Sequence, residues 1–187
     1  MTIGYGDLRK GLPIELDGEP YAVVDYERSK MQQRAPVMRV RFKSLRTGRV
    51  VDRTFNGYDV KLTPASVERR SAQYLYNDDG LYYFMDTESF DQFPLPSEQI
   101  EETLPFIVEQ TTVDTVFFEG SPIAIELPVT ADLKVSEAVP WVKGDTAQGG
   151  TKPVTLETGL ELQVPLFVEA GDTVRVDTRS GQYLSRL

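Results

Sequence analysis

Apolar and polar residues alternate along most of this chain, and Gly, Pro, Asn or Asp breaks the alternation about every 8–15 residues. Strand side chains point to opposite faces in turn, so a period of two is the mark of half-buried strands. Sustained helical periodicity is absent, and the pattern predicts an all-β fold of many short strands. In the run from Val37 to Lys43, Met38, Val40 and Phe42 are expected to face a core. Arg39, Arg41 and Lys43 then share the other face as a basic stripe. Three hairpins can be read directly. The runs 73–76 and 81–85 flank Asn77-Asp78-Asp79-Gly80. The runs 116–118 and 123–127 flank Glu119-Gly120-Ser121-Pro122, and the runs 173–177 and 182–184 flank a turn at Arg179-Ser180-Gly181. One short helix is expected from Ser97, as N-cap, with Glu98 in its first turn.

Two boundaries divide the chain. At Leu62-Thr63-Pro64-Ala65-Ser66 the charge balance changes sign, and Leu127-Pro128-Val129-Thr130 closes one series of strands before another begins. The expected units are 1–64, 65–128 and 129–187, each of roughly 60 residues and small for an independent core. Small barrels meet that limit by removing sheet edges, and the two later units suit them. Trp141 and the Tyr- and Phe-rich strands are expected to fill the cores.

The 187 residues include no cysteine and no histidine. Disulfides, thiol nucleophiles, Cys/His zinc sites and a Ser-His-Asp triad are therefore excluded. The commonest general base near neutral pH is also missing, which argues against an enzyme. The net charge of −9 hides an asymmetry. Residues 1–64 hold 12 Lys and Arg against 8 Asp and Glu; residues 65–187 hold 8 against 21. A basic first third on an acidic body points to a localised contact with a polyanion. No apolar run approaches the roughly 18 residues of a membrane span, and no secretory signal is visible near Met1, so a cytosolic location is expected.

Asp78, Asp79, Asp86, Glu88 and Asp91 follow no metal-loop spacing, and Asp78-Asp79-Gly80 reads as turn chemistry. The segment Glu27 to Pro36 does not alternate. It is polar, cationic and free of glycine, and it joins two strand-like runs. It reads as a hairpin loop, the kind of element that carries function on a rigid scaffold.

The run Val142 to Leu160, containing Gly144-Asp145-Thr146 and Gly149-Gly150-Thr151-Lys152-Pro153, resembles the signature of the bacterial elongation factor P family. The resemblance continues through Val164-Pro165 and from Gly171 to Tyr183. It also covers Asp7-Leu8-Arg9-Lys10-Gly11, Phe42 to Gly48, Gln73-Tyr74-Leu75-Tyr76 and Tyr83-Phe84-Met85-Asp86, essentially the whole chain. It implies an SH3-like (KOW-like) N-terminal barrel followed by two OB-folds in an elongated L shape. It implies a non-enzymatic, cofactor-free, monomeric cytoplasmic factor that binds both ribosomal subunits between the P and E sites. There such a factor contacts peptidyl-tRNA, notably the initiator and proline tRNAs, and relieves stalling at consecutive prolines.

Residue by residue, the resemblance places a tip loop near the peptidyl-transferase centre at Lys30, Gln32, Gln33 and Arg34. It assigns tRNA or rRNA contacts to Arg39, Arg41, Lys43, Gly144, Asp145, Thr146, Tyr183 and Arg186. The loop departs from the family pattern. Related loops carry glycines around a modifiable Lys or Arg, whereas an ungapped register here puts Gln33 at the tip between Gln32 and Arg34. A shift of one residue puts Arg34 there instead. Gln accepts no lysine- or arginine-directed modification, so a tip at Gln33 implies a factor that works unmodified. Two other readings stand beside this one: an elongation factor P-like paralogue, and a generic OB-fold RNA-binding protein. The latter would bind free oligonucleotides with strong salt dependence, which a net charge of −9 disfavours.

Overall fold

A computed structural model describes residues 2–29, 37–56, 61–140 and 150–187. The described residues hold fifteen strands and almost no helix, in three five-stranded sheets. The first sheet comprises β1 (Pro13–Leu16), β2 (Glu19–Ser29), β3 (Val37–Ser44), β4 (Val50–Asn56) and β5 (Thr63–Pro64), in the order β4-β3-β2-β1-β5. The second holds β6 (Val67–Asp78), β7 (Leu81–Asp86), β8 (Gln92–Pro96), β9 (Thr112–Phe118) and β10 (Ser121–Glu126), in the order β10-β9-β6-β7-β8. The third holds β11 (Thr130–Ala138), β12 (Thr151–Leu156), β13 (Glu161–Pro165), β14 (Thr173–Asp177) and β15 (Tyr183–Arg186), in the order β13-β12-β11-β14-β15. By its contacts the chain divides into two compact units, Met1–Arg70 with Thr115–Ala124, and Ser71–Asp114 with Ile125–Leu187.

All three expected hairpins form. At the β6–β7 turn Asp79 and Gly80 have φ of 46° and 79°, the paired positive values of a type I′ turn, whose twist matches that of the strands it joins. Gly80 carries no Cβ to oppose that conformation. Glu119-Gly120 repeats the geometry between β9 and β10, and Asp17-Gly18 does so between β1 and β2, a hairpin not read from the sequence. The short helix α1 runs from Ser97 to Ile100, but Ser97 is not its cap. Pro96 holds the N-cap position with φ −63° and ψ 145° and makes no side-chain cap bond. Ser97 instead donates its N–H to the Gly80 carbonyl at 2.9 Å, which ties the helix start to the β6–β7 turn.

Among the described residues, four apolar clusters fill the interior. In the first unit, Leu8, Ile14, Val23, Met38, Val40, Phe42 and Leu62 pack inside the first sheet. Ala65, Val116, Phe118 and Ile123 form a second cluster there. In the other unit, Tyr74, Phe84, Leu95, Ile100 and Ile125 belong to one cluster, and Leu133, Val135, Val154, Val164 and Val174 to another. The aromatic strands therefore supply core, as expected, at Tyr74, Phe84 and Phe118. Trp141 lies outside the described residues.

Thr115, fully buried on β9, has no hydrogen-bond partner for its hydroxyl among the described residues. An unsatisfied buried hydroxyl costs about 1–3 kcal/mol. Thr115→Val, which keeps the shape, is expected to stabilise the protein by about 1 kcal/mol and to raise Tm by about 2–4 °C in thermal unfolding.

Candidate functional site

β3 has the two faces that its alternation dictates. Met38, Val40 and Phe42 are buried, and Arg39, Arg41 and Lys43 are exposed on the other side. β3 is flanked on both sides, by β2 and by β4, and the register decides what those cations meet. Arg41 stands opposite Asp25 on β2 and Asp52 on β4. Its Nε and Nη2 donate to Asp52 Oδ1 and Oδ2 at 2.9 and 3.2 Å, a bidentate pair. That hydrogen bond is the main reason the Asp52 carboxyl sits below, and the Arg41 guanidinium above, its ordinary pKa. Asp25 is lowered in turn, first by its hydrogen bond from Lys10, whose Nζ lies 3.0 Å away. Arg39 stands opposite Glu27, while Lys43 stands opposite Ala22 and Val50. Among the described residues, neither Arg39 nor Lys43 makes an ion pair. The stripe is thus a mixed-charge lattice, with its unpaired cations at either side of a neutralised centre. Asp25, Glu27 and Asp52 were missed in the sequence because strand register, not spacing along one strand, brings them there.

A hollow of about 80 Å³ on this face is lined by Asp25, Tyr26, Glu27, Arg39, Arg41 and Asp52. That is room for two or three waters, far below the roughly 300–1,000 Å³ of small-molecule sites. The hollow is too small to enclose a small-molecule substrate.

The tip-loop residues Lys30, Gln32, Gln33 and Arg34 lie outside the described residues. What is described is their mount. Ser29 at the end of β2 pairs with Val37 at the start of β3, in a two-stranded ladder that runs back to Tyr21 and Ser44. A shift in register between Val23 and Asp25 interrupts it once. Gly144, Asp145 and Thr146 also lie outside the described residues. Near the ends of that stretch, Ala138 pairs with Val154, and the ammonium of buried Lys152 donates to the Val139 carbonyl at 3.1 Å.

Tyr183 and Arg186 both lie on β15, with different surroundings. Tyr183 is half-buried and packs against the core of the third sheet. The Arg186 guanidinium lies 5.0 Å from the centre of the Phe167 ring and donates to the Phe167 carbonyl at 3.2 Å. It also lies 3.4 Å from Asp172 Oδ2. Phe167, 56% exposed, was not singled out from the sequence.

The carboxylates of the middle segment act as turn anchors. Asp79 forms the β6–β7 turn, and buried Asp86 accepts the N–H groups of Glu88 and Ser89 at 2.8 and 2.9 Å. Among the described residues, no group of three or more Asp and Glu is placed to hold a metal, and no helix is long and apolar enough to cross a membrane.

The depressed carboxylates carry a pH prediction. Besides Asp25 and Asp52, Asp132 is lowered by its hydrogen bond from Arg175, and Asp177 by accepting the N–H groups of Ser180 and Arg179. A carboxyl whose pKa is lower folded than unfolded stabilises the fold above its unfolded value, about 3.9 for Asp, and loses that contribution as pH falls through the folded value. With no histidine in the chain, Tm is expected to stay level from about pH 5.5 to 8 and to fall below about pH 4. A step in Tm near pH 6–7 would contradict this.

Comparison with known proteins identifies the family. Residues 5–60 match the Elongation factor P (EF-P) KOW-like domain, residues 67–125 the Elongation factor P (EF-P) OB domain, and residues 131–186 the family Elongation factor P, C-terminal. Elongation factor P of Carboxydothermus hydrogenoformans is 46% identical over 185 residues, covering 99% of this chain and 100% of the relative. That of Moorella thermoacetica is 47% identical over 184 residues, covering 98% and 99%. Among solved structures, eukaryotic translation initiation factor 5A from Methanococcus jannaschii is similar in fold, with a TM-score of 0.56 at 20% identity over 68% of this chain and 92% of the other. Three matched domains in family order, together with near-full-length identity of almost half, establish that this chain belongs to the elongation factor P family of translation factors.

Proposed function

We propose that this chain binds the ribosome between the P and E sites, holds peptidyl-tRNA in reactive geometry and relieves stalling at consecutive prolines. The observation that carries the reading is the near-full-length identity to proteins named elongation factor P. Proline has φ fixed by its ring, which hampers alignment for peptide-bond formation. A factor that orients the reacting ends lowers the entropic part of the barrier and contributes no catalytic group, so it is not an enzyme in the ordinary sense. The domains are 1–64, 65–128 and 129–187. Lys30, Gln32, Gln33 and Arg34 form the tip, and Gln33 donates and accepts hydrogen bonds without modification. Arg39, Arg41 and Lys43 contact RNA phosphate, with Arg39 and Lys43 the more available of the three. Gly144, Asp145 and Thr146 read the tRNA, and Tyr183 and Arg186 contact it nearby. For Arg186, contact with RNA means sharing or leaving its place over Phe167. The factor acts in the cytoplasm as a monomer without cofactor.

Co-sedimentation with ribosomes carrying peptidyl-tRNA in the P site tests the site. Binding is expected, and deacylated tRNA that fills the E site is expected to displace it. Binding indifferent to E-site tRNA would contradict the proposed location.

A further inference from the structure

By strict alternation Tyr74 and Tyr76 on β6 would share one face of the second sheet. A register shift between them separates them: Tyr74 is 6% exposed in the core, whereas Tyr76 is 45% exposed. The shift sets Tyr76 opposite Tyr83 on β7, and the rings stack at 4.7 Å between centroids with 16° between planes. Tyr83 in turn stands opposite exposed Pro94 on β8. Two residue pairs further, exposed Asp78 stands opposite Leu81. The solvent side of these strands therefore carries an aromatic platform edged by a carboxylate.

The charge of the segment that carries the platform decides what it suits. Residues 71–114 contain ten Asp and Glu and no Lys or Arg. OB-fold sheet faces often bind oligonucleotides, by stacking bases on aromatics within a cationic groove. This face has the aromatics but the opposite charge, so phosphate is repelled. Arg and Lys are attracted by the carboxylates and settle on tyrosine faces through cation–π contact, where Arg also stacks flat. We propose that the Tyr76–Tyr83 platform is a docking site for an arginine- or lysine-rich polypeptide segment. The inference stands apart from the proposed ribosomal role and is tested on the free protein.

The test titrates the isotope-labelled full chain with acetyl-(Arg-Gly)4-amide and, separately, with octauridylate RNA, followed by NMR. The peptide is expected to shift the signals of Tyr76, Tyr83 and their strand neighbours, and the RNA to leave them in place. Tyr76→Ala, which leaves net charge unchanged, is expected to weaken peptide binding about five-fold, and Tyr76→Phe to stay within about two-fold. Asp78→Asn, at an exposed position, provides a second variant independent of the stack and is expected to weaken binding about two-fold. The proposal is overturned if peptide shifts map elsewhere, or if Tyr76→Ala binds as wild type. It is equally overturned if RNA occupies the platform as tightly as the peptide, or if the platform signals move on dilution alone, which would mark a second copy of the chain as the occupant.

Discussion

Phe42→Ala is expected to destabilise the first sheet by about 3–5 kcal/mol, the range for truncating a buried aromatic. Phe42 is fully buried at the centre of the cluster, edge-on to Tyr21 and Phe55 at 6.5 Å from each. A unit of some 60 residues holds about 3–9 kcal/mol in all, so the loss is comparable with the whole. Amide spectra of the variant are expected to lose dispersion across residues 13–64 while those of the third sheet persist. Phe42→Leu, which keeps most of the volume, should cost much less, about 1 kcal/mol. Because β2 and β3 carry the segment 30–36, Phe42→Ala should also abolish the proposed activity although it touches no tip residue. A loss under about 1 kcal/mol on urea unfolding would show that this core is not the scaffold described.

Asp86→Ala is the second large effect, expected at about 2–4 kcal/mol. Asp86 is 5% exposed, and its Oδ1 accepts two backbone N–H groups of the turn that follows β7. Bonds to a charged acceptor contribute about 1.5–3 kcal/mol each, less where water can replace them, and Glu88 and Ser89 are exposed. The same turn is closed by the Phe90 N–H to the Asp86 carbonyl at 3.0 Å, with Phe90 held at φ 61°. A residue so held needs its surroundings to fix it. Asp86→Asn keeps an acceptor and should recover at least half of the loss. Equal losses in the two variants, read from urea midpoints, would show that the charge and not the turn geometry is what matters.

The two faces of β3 were legible because period-two alternation on one strand needs no knowledge of its neighbours. The hairpin turn within Asn77-Asp78-Asp79-Gly80 was legible because Asn, Asp and Gly carry turn chemistry locally, whereas its type I′ geometry came from the structure. What could not be read depends on register. The pairing of Arg41 with Asp52 requires β3 and β4 to align residue on residue across the chain reversal between them. The exposure of Tyr76 follows from a single register shift, which reverses the facing that alternation predicts. Ser97 carried a sound capping signal, yet the rigid extended Pro96 before it and the Gly80 carbonyl beside it moved the helix start by one residue. The contact of Arg186 with Phe167 joins β15 to the turn after β13, and nothing in either stretch alone announces it.

On the proposed function this chain speeds peptide-bond formation at prolines without modification. The direct measurement is reconstituted translation of a reporter bearing consecutive prolines, with no factor, with unmodified recombinant protein and with its Gln33→Ala variant, the recombinant mass confirmed intact. Relief of stalling by the unmodified protein and loss of relief in Gln33→Ala are expected. Relief only with protein purified from its native host and carrying added mass at Lys30, Gln33 or Arg34 would contradict the unmodified tip, and no relief with either preparation would contradict the proposed function itself.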